Sequence, residues 1–492
     1  MSGSGRAVAR LFDRLLSAIF LVAWLSLGAQ IDVLAGARGL LPAAPWVAAV
    51  REAGVPFSDA PSLFVALGAG DGVLHAGIAA GVALAILALA GVAPRVCFAL
   101  GTLLYLSYAV ACRTFLSFQW DNLLLECGFL AAVLPRDRRA GWAHFLLRVL
   151  LFKLYFESGI AKWHSPLRDW QDGSAMTFYY ETAPLPARLA WYAHALPEAW
   201  HHFESWFTLF FELAVPFAVF GPRRARLFAL AVFTLFQIVD LATANYGFFC
   251  YLALALHVFL LDDADVVRAR AFVERRAPRI RRMRAWQRWI DLRLRRIVAR
   301  PSVPPGVRQW VSVIAVGAYL IASLADSVGH FGGPPALVAR AERLRKHFAP
   351  FRVINTYHLF GAITRERIEP ELQSFDGATW QAHDLRYKPG DPGRAPSLVA
   401  PHQPRVDFQL WFFGLSHGQG LPGYVRAMLE RACLDPAAIQ PIFEGKLPDE
   451  PEAVRLAFYR YHFTTGDDRR RTGAWWRRDL VETTRPVSCH RR

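Results

Sequence analysis

The chain has 492 residues, 54% of them hydrophobic, with 16 Trp and 36 Phe, an apolar load above that of an ordinary soluble domain. Its formal net charge of +16 rests mainly on arginine, but the basic runs flank apolar windows and no nucleic-acid-binding motif accompanies them, so nucleic acid is set aside as a partner. Repeated apolar windows of about 18–22 residues indicate a polytopic membrane protein.

The first apolar window, 10–27, follows a short basic start. It is long and lacks a small-x-small cleavage site, so it reads as a retained span with the N-terminus inside. Windows 63–92 and 96–117 make the second and third spans, joined at Pro94 and Arg95. Gln119 to Asn122 form a polar corner before a short fourth helix over 123–134, and Arg136, Arg138 and Arg139 place the next turn inside. The fifth helix carries Lys153 and Glu157 four residues apart, hence on one face. An aromatic loop rich in Trp, Tyr, His and Pro follows over 163–201, on the outer side.

Windows 203–220, 227–240 and 246–261 make spans six to eight, with the basic turn 221–226 inside. The Arg-rich stretch 262–306 reads equally as an amphipathic helix on the anionic inner leaflet or as a solvated linker. A ninth span over 307–327 returns the chain to the outside, which gives a membrane domain of about nine spans over 1–335. Beyond residue 340 the pattern changes. Residues 368–387 alternate around a turn at Asp376 and Gly377, a second strand pair brackets GDDRRRTG, and 422–445 reads as helical. The expectation is a β-rich, sandwich-like extracytoplasmic domain over 340–492.

Six cysteines lie at 97, 112, 127, 250, 433 and 489, without a CxxC or metal-ligand spacing. Four fall in apolar segments, where a small buried hydrophobe suffices as a role. Cys433 and Cys489 have the option of one disulfide if their domain is extracytoplasmic.

An ionisable residue deep in an apolar helix is costly unless paired or facing an internal cavity. Lys153 and Glu157 are therefore either a proton-handling pair or a structural brace, and Lys162 lies where it can snorkel to the interface. His194, His201, His202 and Glu204 raise a metal reading through the H-x-x-E spacing of His201 and Glu204, but a second ligand set is missing. Asp121, Asn122 and Glu126 either line the same cavity or cap the short fourth helix. No hydrolase elbow, phosphate loop, zincin or dinucleotide motif occurs, and no cofactor is implied. The dense stretch 386–415, in which Asp407, Gln409 and Trp411 alternate with Val406, Phe408 and Leu410, is either a binding surface or a plug that docks the domain on the membrane part.

Long motifs run through both parts: QWDNLLLECGFLAAVLP at 119–135, FESGIAKW at 156–163, TFYYETAPLPARLAWYAHALP at 177–197, NTYHLFG at 355–361, SFDGATW at 374–380, YKPGD at 387–391 and APHQPRVDFQLWF at 400–412. On these the chain resembles the lipase maturation factor family. The resemblance implies a multi-pass membrane protein whose outer domain helps secreted lipases reach their active state, in animals in the endoplasmic reticulum. More distantly, the membrane part resembles the helical domain of vitamin K-dependent gamma-carboxylase, an analogy of fold alone. No catalytic residues come with the family. The chain ends VSCHRR rather than in a KDEL-type signal, and its Arg-over-Lys, Ala-rich composition suggests a GC-rich bacterial genome. The expected location is the inner membrane if bacterial, the endoplasmic reticulum if eukaryotic.

The first functional expectation is a maturation factor whose partners are membrane lipids and exported clients, lipases among them. Client contacts are expected at Trp170, Tyr179, Tyr180, Trp191, Tyr192, Arg405 and Trp411. The alternative is a membrane enzyme using Lys153 and Glu157 in acid–base chemistry on a lipid or quinone-like substrate. A transporter is a third reading, without inverted repeats to support it.

Overall fold

The computed structural model describes residues 5–133, 141–276 and 305–489. The expected basic turn at Arg136–Arg139 and most of the basic segment, 277–304, lie outside the described residues. The N-terminal region is helical: α1 (Arg6–Gly28), α2 (Ala43–Glu52), α3 (Asp71–Ala90), α4 (Pro94–Ala111), α5 (Gln119–Val133), α6 (Gly141–Trp163), α7 (Ala175–Thr182), α8 (Arg188–His194), α9 (Glu198–Ala214), α10 (Arg223–Thr243), α11 (Phe249–His257), α12 (Asp263–Arg276) and α13 (Pro305–Phe331). Among the described residues, six helices are long and apolar enough to cross a membrane: α1, α3, α4, α9 with the turn that extends it to Phe220, α10, and α13 from Val313 to Phe331.

The expected count of nine is thus not reached, for identifiable reasons. With 15 residues, α5 spans about 22 Å, short of a hydrocarbon core of about 30 Å. Helix α6 has the length, 23 residues, but carries Arg148, Lys153, Glu157 and Lys162. The apolar segment Phe249–Leu260 is short as well. These three helices are instead the buried centre: Leu123, Leu124, Leu147, Leu150, Leu252 and Leu256 are fully enclosed.

Local chemistry explains how the outer helices close on that centre. Trp24 of α1 packs edge-on against Tyr105 and Tyr108 of α4, with ring centroids 5.2 and 5.4 Å away. Only a glycine at position 81 of α3 leaves room for the Trp24 ring, because a Cβ there would collide with it. The open N-terminus of α1 is capped by the side chain of Asp263, which accepts from the Ala7 and Val8 amides at 2.8 and 3.1 Å. A carboxylate at that end offsets the helix dipole and binds the start of α12 to α1.

After α14 (Pro335–Phe348) the chain builds one antiparallel sheet from β1 (Arg367–Phe375) and β2 (Trp380–His383), then α15 (Arg405–Leu415) and α16 (Gly423–Leu434), then β3 (Ala453–Phe463), the short α17 (Gly466–Thr472), β4 (Trp476–Thr483) and β5 (Val487–Ser488). Strand order is β2-β1-β3-β4, with β5 also on β3. Both expected strand pairs form, β1 with β2 around the Asp376 turn and β3 with β4. The sandwich does not: a second sheet is absent among the described residues, and helix α15 covers β1 instead. Gly414 of α15 lies directly against the Ile368 carbonyl, leaving no space for a side chain. On β1, Ile368 and Leu372 alternate with Arg367, Glu369, Glu371 and Gln373, yet all six are buried. Such a strand is covered on both faces. Cys433 and Cys489 are joined by a disulfide that ties α16 to the last strand.

Candidate functional site

Most of the motifs that carry the resemblance meet in one place, a buried polar seam between the membrane helices and the C-terminal domain, whereas SFDGATW at 374–380 forms the exposed β1–β2 turn. Arg405, at the start of α15, inserts between α4 and α5. Its guanidinium donates to Asp121 Oδ1 and Oδ2 at 2.8 and 2.9 Å, to the Phe115 carbonyl at 2.7 Å and to Tyr105 Oη at 3.0 Å. Tyr105 also donates to Asp121 at 2.6 Å. The side chains of Arg405 and Asp121 are 1% and 0% exposed, so the charges are fully desolvated and depend on each other.

A second anchor centres on Glu126. It accepts from Tyr319 Oη at 2.5 Å, from Tyr357 Oη at 2.8 Å, and from the Asn355 amide and side chain at 3.1 and 3.0 Å. Lys153 Nζ lies 3.7 Å from Glu126 and donates to Ser323 Oγ at 3.3 Å. Glu157 accepts from the Tyr357 amide at 2.9 Å and from Ser327 Oγ at 2.5 Å. Lys153 and Glu157 therefore share a face of α6 but bond in different directions, to other helices and to the segment 355–357. One turn on, Lys162 is 3% exposed rather than snorkelling, and pairs with Glu212 at 2.8 Å while donating to the Leu359 carbonyl at 2.9 Å.

The aromatic loop supplies the third side of the seam. Arg367 donates to the carbonyls of Glu181 and Pro184 at 2.9 and 3.1 Å and pairs with Glu369 at 2.6 Å, which also holds Lys388 at 2.7 Å. Glu181 accepts from the Phe463 amide at 2.6 Å. Asn245, at the corner after α10, binds the Ser397 carbonyl at 2.8 Å and the Val399 amide at 2.7 Å. His402 Nδ1 meets Ser26 Oγ at 2.9 Å.

The seven residues expected to contact clients are located mostly within this seam. Trp170 is buried and donates to the Phe360 carbonyl at 3.1 Å; Tyr179 bonds Tyr246 Oη at 2.7 Å; Tyr180 donates to Glu204 at 2.9 Å. Trp191 donates to the Thr464 carbonyl at 3.0 Å, and half-buried Trp411 to the Thr182 carbonyl at 2.8 Å. Of the seven, only Tyr192 is exposed, at 48%. All seven meet other parts of the same chain, Tyr192 included, whose hydroxyl accepts from Arg469 at 3.2 Å. Of the His and Glu group, His201 Nδ1 is 3.3 Å from Glu204 and its Nε2 is 3.2 Å from the His194 carbonyl. Among the described residues no three His, Cys, Asp or Glu side chains converge on one point.

Burial sets the protonation of the C-terminal side of the seam. It holds His402 down at about 4, helped by the neighbouring Arg405, and His358 down at about 4, helped by the stacked His330. Asp407 is pushed up to about 6 by burial, against the pull of Lys388. Burial likewise lowers Lys388 from its ordinary value, opposed by Glu369. These groups serve cohesion: His402 meets Ser26 across the interface, while Lys388 pairs with Glu369 and Asp407 accepts from the Tyr387 amide within the C-terminal domain. Sequence reasoning missed Arg367, Lys388, Glu181, Asn355 and Tyr357 as functional positions. Four of these lie inside the quoted motifs, which was the available signal; Arg367, a charge in an otherwise strand-like run, was the other.

Residues 7–268 match the family described as lipase maturation factor transmembrane domain, and residues 353–486 the lipase maturation factor C-terminal domain. Similar curated proteins include lipase maturation factor 2 of Homo sapiens, 30% identical with 98% of this chain and 82% of that protein covered. Lipase maturation factor 1 of Bos taurus is 30% identical over 96% of this chain and 88% of its own length. Lipase maturation factor 2 of Xenopus tropicalis is 29% identical over 96% and 81%. No solved structure matches. With both domains matched in order and several apolar membrane-length helices, the chain is a multi-pass membrane protein and belongs to the lipase maturation factor family.

Proposed function

We propose that the protein promotes the maturation of exported lipases, with its C-terminal domain held as a rigid platform on the outer face of the membrane helices. One observation carries this reading: both family domains match in order, and relatives named lipase maturation factors align over nearly the whole chain. The buried seam supports it, because a platform fixed by desolvated ion pairs keeps one orientation toward a client. The Cys433–Cys489 disulfide supports an outward C-terminal domain, since such bonds persist in oxidising compartments.

Client contact falls to exposed groups near the seam. Tyr192 is one of them. The edge strand β4, with Leu480 and Val481 exposed at 58% and 37%, is another. An edge strand offers unpaired amides and carbonyls to an incompletely folded partner. Buried Trp170, Tyr179, Tyr180, Trp191 and Arg405 act on clients indirectly, by holding these surfaces in place.

The test is photo-cross-linking of a newly exported lipase to the full chain, with the cross-linker at Tyr192 or Leu480 and, as control, at exposed Phe228 on α10. Capture of the lipase from Tyr192 or Leu480 but not from Phe228 is expected. Equal capture from all three, or from none, would reject this surface.

A further inference from the structure

One cavity falls outside the seam's bonding network. It lies where the loop after α4 meets α15 and α16, has a volume of about 340 Å³, and is lined by Leu41, Arg113, Gln409, Phe412, Phe413 and Tyr424 among others. That volume is at the lower end of the range of about 300–1,000 Å³ usual for small-molecule sites.

Its polar groups are incompletely satisfied. Arg113 is half-buried, its Nε has no hydrogen-bond partner, and no ion pair offsets its charge among the described residues. Burial lowers its pKa from the ordinary guanidinium value, opposed by the neighbouring Cys112 thiol. The contact it does make is with the Trp46 ring, 5.8 Å from the centroid. Its backbone is held in the left-handed region at φ 49°, a costly conformation for a residue with a side chain. Opposite, the side-chain oxygen of Gln409 is buried without a partner. A terminal amide can turn to offer its NH₂ group instead. The rest of the lining is mainly apolar, with Thr114 and Ser416 as small polar members and the Tyr424 hydroxyl already donating to the Gln409 carbonyl, and Phe412 is 43% exposed.

A half-buried cation whose Nε is enclosed without a partner, set in an aromatic and aliphatic hollow, is complementary to an anion carrying an apolar tail. The position supplies such molecules: Arg113 is two residues beyond Ala111, the end of the candidate span α4. We propose that this cavity binds a single-chain amphiphile with an anionic head, whose carboxylate or phosphate pairs with Arg113 and Gln409 while its chain lies along Leu41, Phe412, Phe413 and Tyr424. This proposal is independent of the lipase reading. A fatty acid and a lysophospholipid with a terminal phosphate share the required chemistry.

The experiment uses the full chain in detergent and a palmitic acid analogue carrying a photoactivatable diazirine, beside the same probe with an alcohol in place of the carboxylate. Labelling of the peptides around Leu41 and Phe412–Tyr424 by the acid, about ten-fold above the alcohol, is expected. Arg113→Gln should reduce acid labelling by about the same factor, with Arg113→Lys, which keeps the charge but loses the planar fork over Trp46, falling between the parent and Arg113→Gln. Competition by unlabelled oleate assigns a carboxylate head, and competition by lysophosphatidate a phosphate head. Equal labelling by acid and alcohol in the unmodified chain overturns the proposal without recourse to any variant. Labelling confined to the exposed face of α9, or unchanged labelling in a folded Arg113→Gln chain, does the same. Competition by a glutamate-rich peptide and by neither amphiphile would also overturn it, and assign the cavity to a protein partner.

Discussion

Arg405 and Asp121 are 284 positions apart in sequence and form a two-pronged ion pair that is closed to solvent. The pair joins the first turn of α15 to the first turn of α5, so one interaction fixes the C-terminal domain on the helix that is too short to span a membrane. Removing one partner leaves a buried, uncompensated charge. Arg405→Met is expected to destabilise the docked state by about 3–5 kcal/mol, and the Arg405→Met/Asp121→Leu double variant by markedly less. Thermal unfolding of the four chains of this cycle in detergent checks it. A loss in the double variant equal to the sum of the two single losses would mean that the pair is not coupled.

Glu126 separates a structural role from a catalytic one. Glu126→Gln substitutes a donor for one acceptor oxygen and opposes the donors from Tyr319, Tyr357 and Asn355, at an expected cost of about 1–3 kcal/mol. Glu157→Gln with Lys153→Met removes proton exchange but keeps an acceptor for the Tyr357 amide. The double variant is expected to keep lipase-maturing activity in proportion to its folded amount, measured as lipase activity per folded chain. A folded but inactive double variant would restore acid–base chemistry as the explanation.

The Cys433–Cys489 bond closes a loop of sequence separation 56, which by chain entropy corresponds to a stabilisation of up to about 4 kcal/mol. Cys433→Ser should lower the melting temperature of the unreduced chain toward that of the dithiothreitol-treated parent. In intact cells the two cysteines should resist thiol-reactive reagents until reduced. Free thiols at both positions would argue against an oxidising compartment for this domain.

Acid should loosen the seam. His402 and His358 sit near 4 in the folded chain, against an ordinary value of 6.5, so between those pH values the unfolded chain binds more protons. Their contribution is intact above pH 6.5 and is lost progressively as the pH falls toward 4. Stability followed from pH 7 to 4.5 should decline, and His402→Gln should flatten the slope. Asp407, raised to about 6 in the folded chain, works in the opposite direction over the lower part of this range, so the comparison is between variants. Identical slopes for the parent and His402→Gln would show that the His402 ring is more hydrated than its packing implies.

Much of this organisation was legible in the residues. The turn at Asp376 and Gly377 marked the β1–β2 hairpin, and the unusual density of Trp, Tyr and charged residues in the quoted motifs marked the seam. What periodicity alone obscured was which apolar helices meet lipid and which meet protein. Helices α5 and α11 are short apolar segments and α6 is a long one interrupted by Arg148, Lys153, Glu157 and Lys162, yet their leucines are enclosed by other helices, and hydropathy is blind to the neighbour that does the burying. The same blindness affected the aromatic residues. Trp170 and Tyr179 read as exposed anchors because aromatic side chains suit interfaces, and the interface they fill is internal. The alternation in 406–411 is carried by a helix, since α15 is covered by β1 on one side and by the membrane helices on the other, which removes the usual one-sided pattern.

The most direct measurement is the activity per unit mass of a secreted lipase from cells with and without this chain. Absence of the chain is expected to lower that specific activity with the secreted amount little changed, and the parent chain, but not Arg405→Met, is expected to restore it. An unchanged specific activity in cells lacking the chain would contradict a role in lipase maturation.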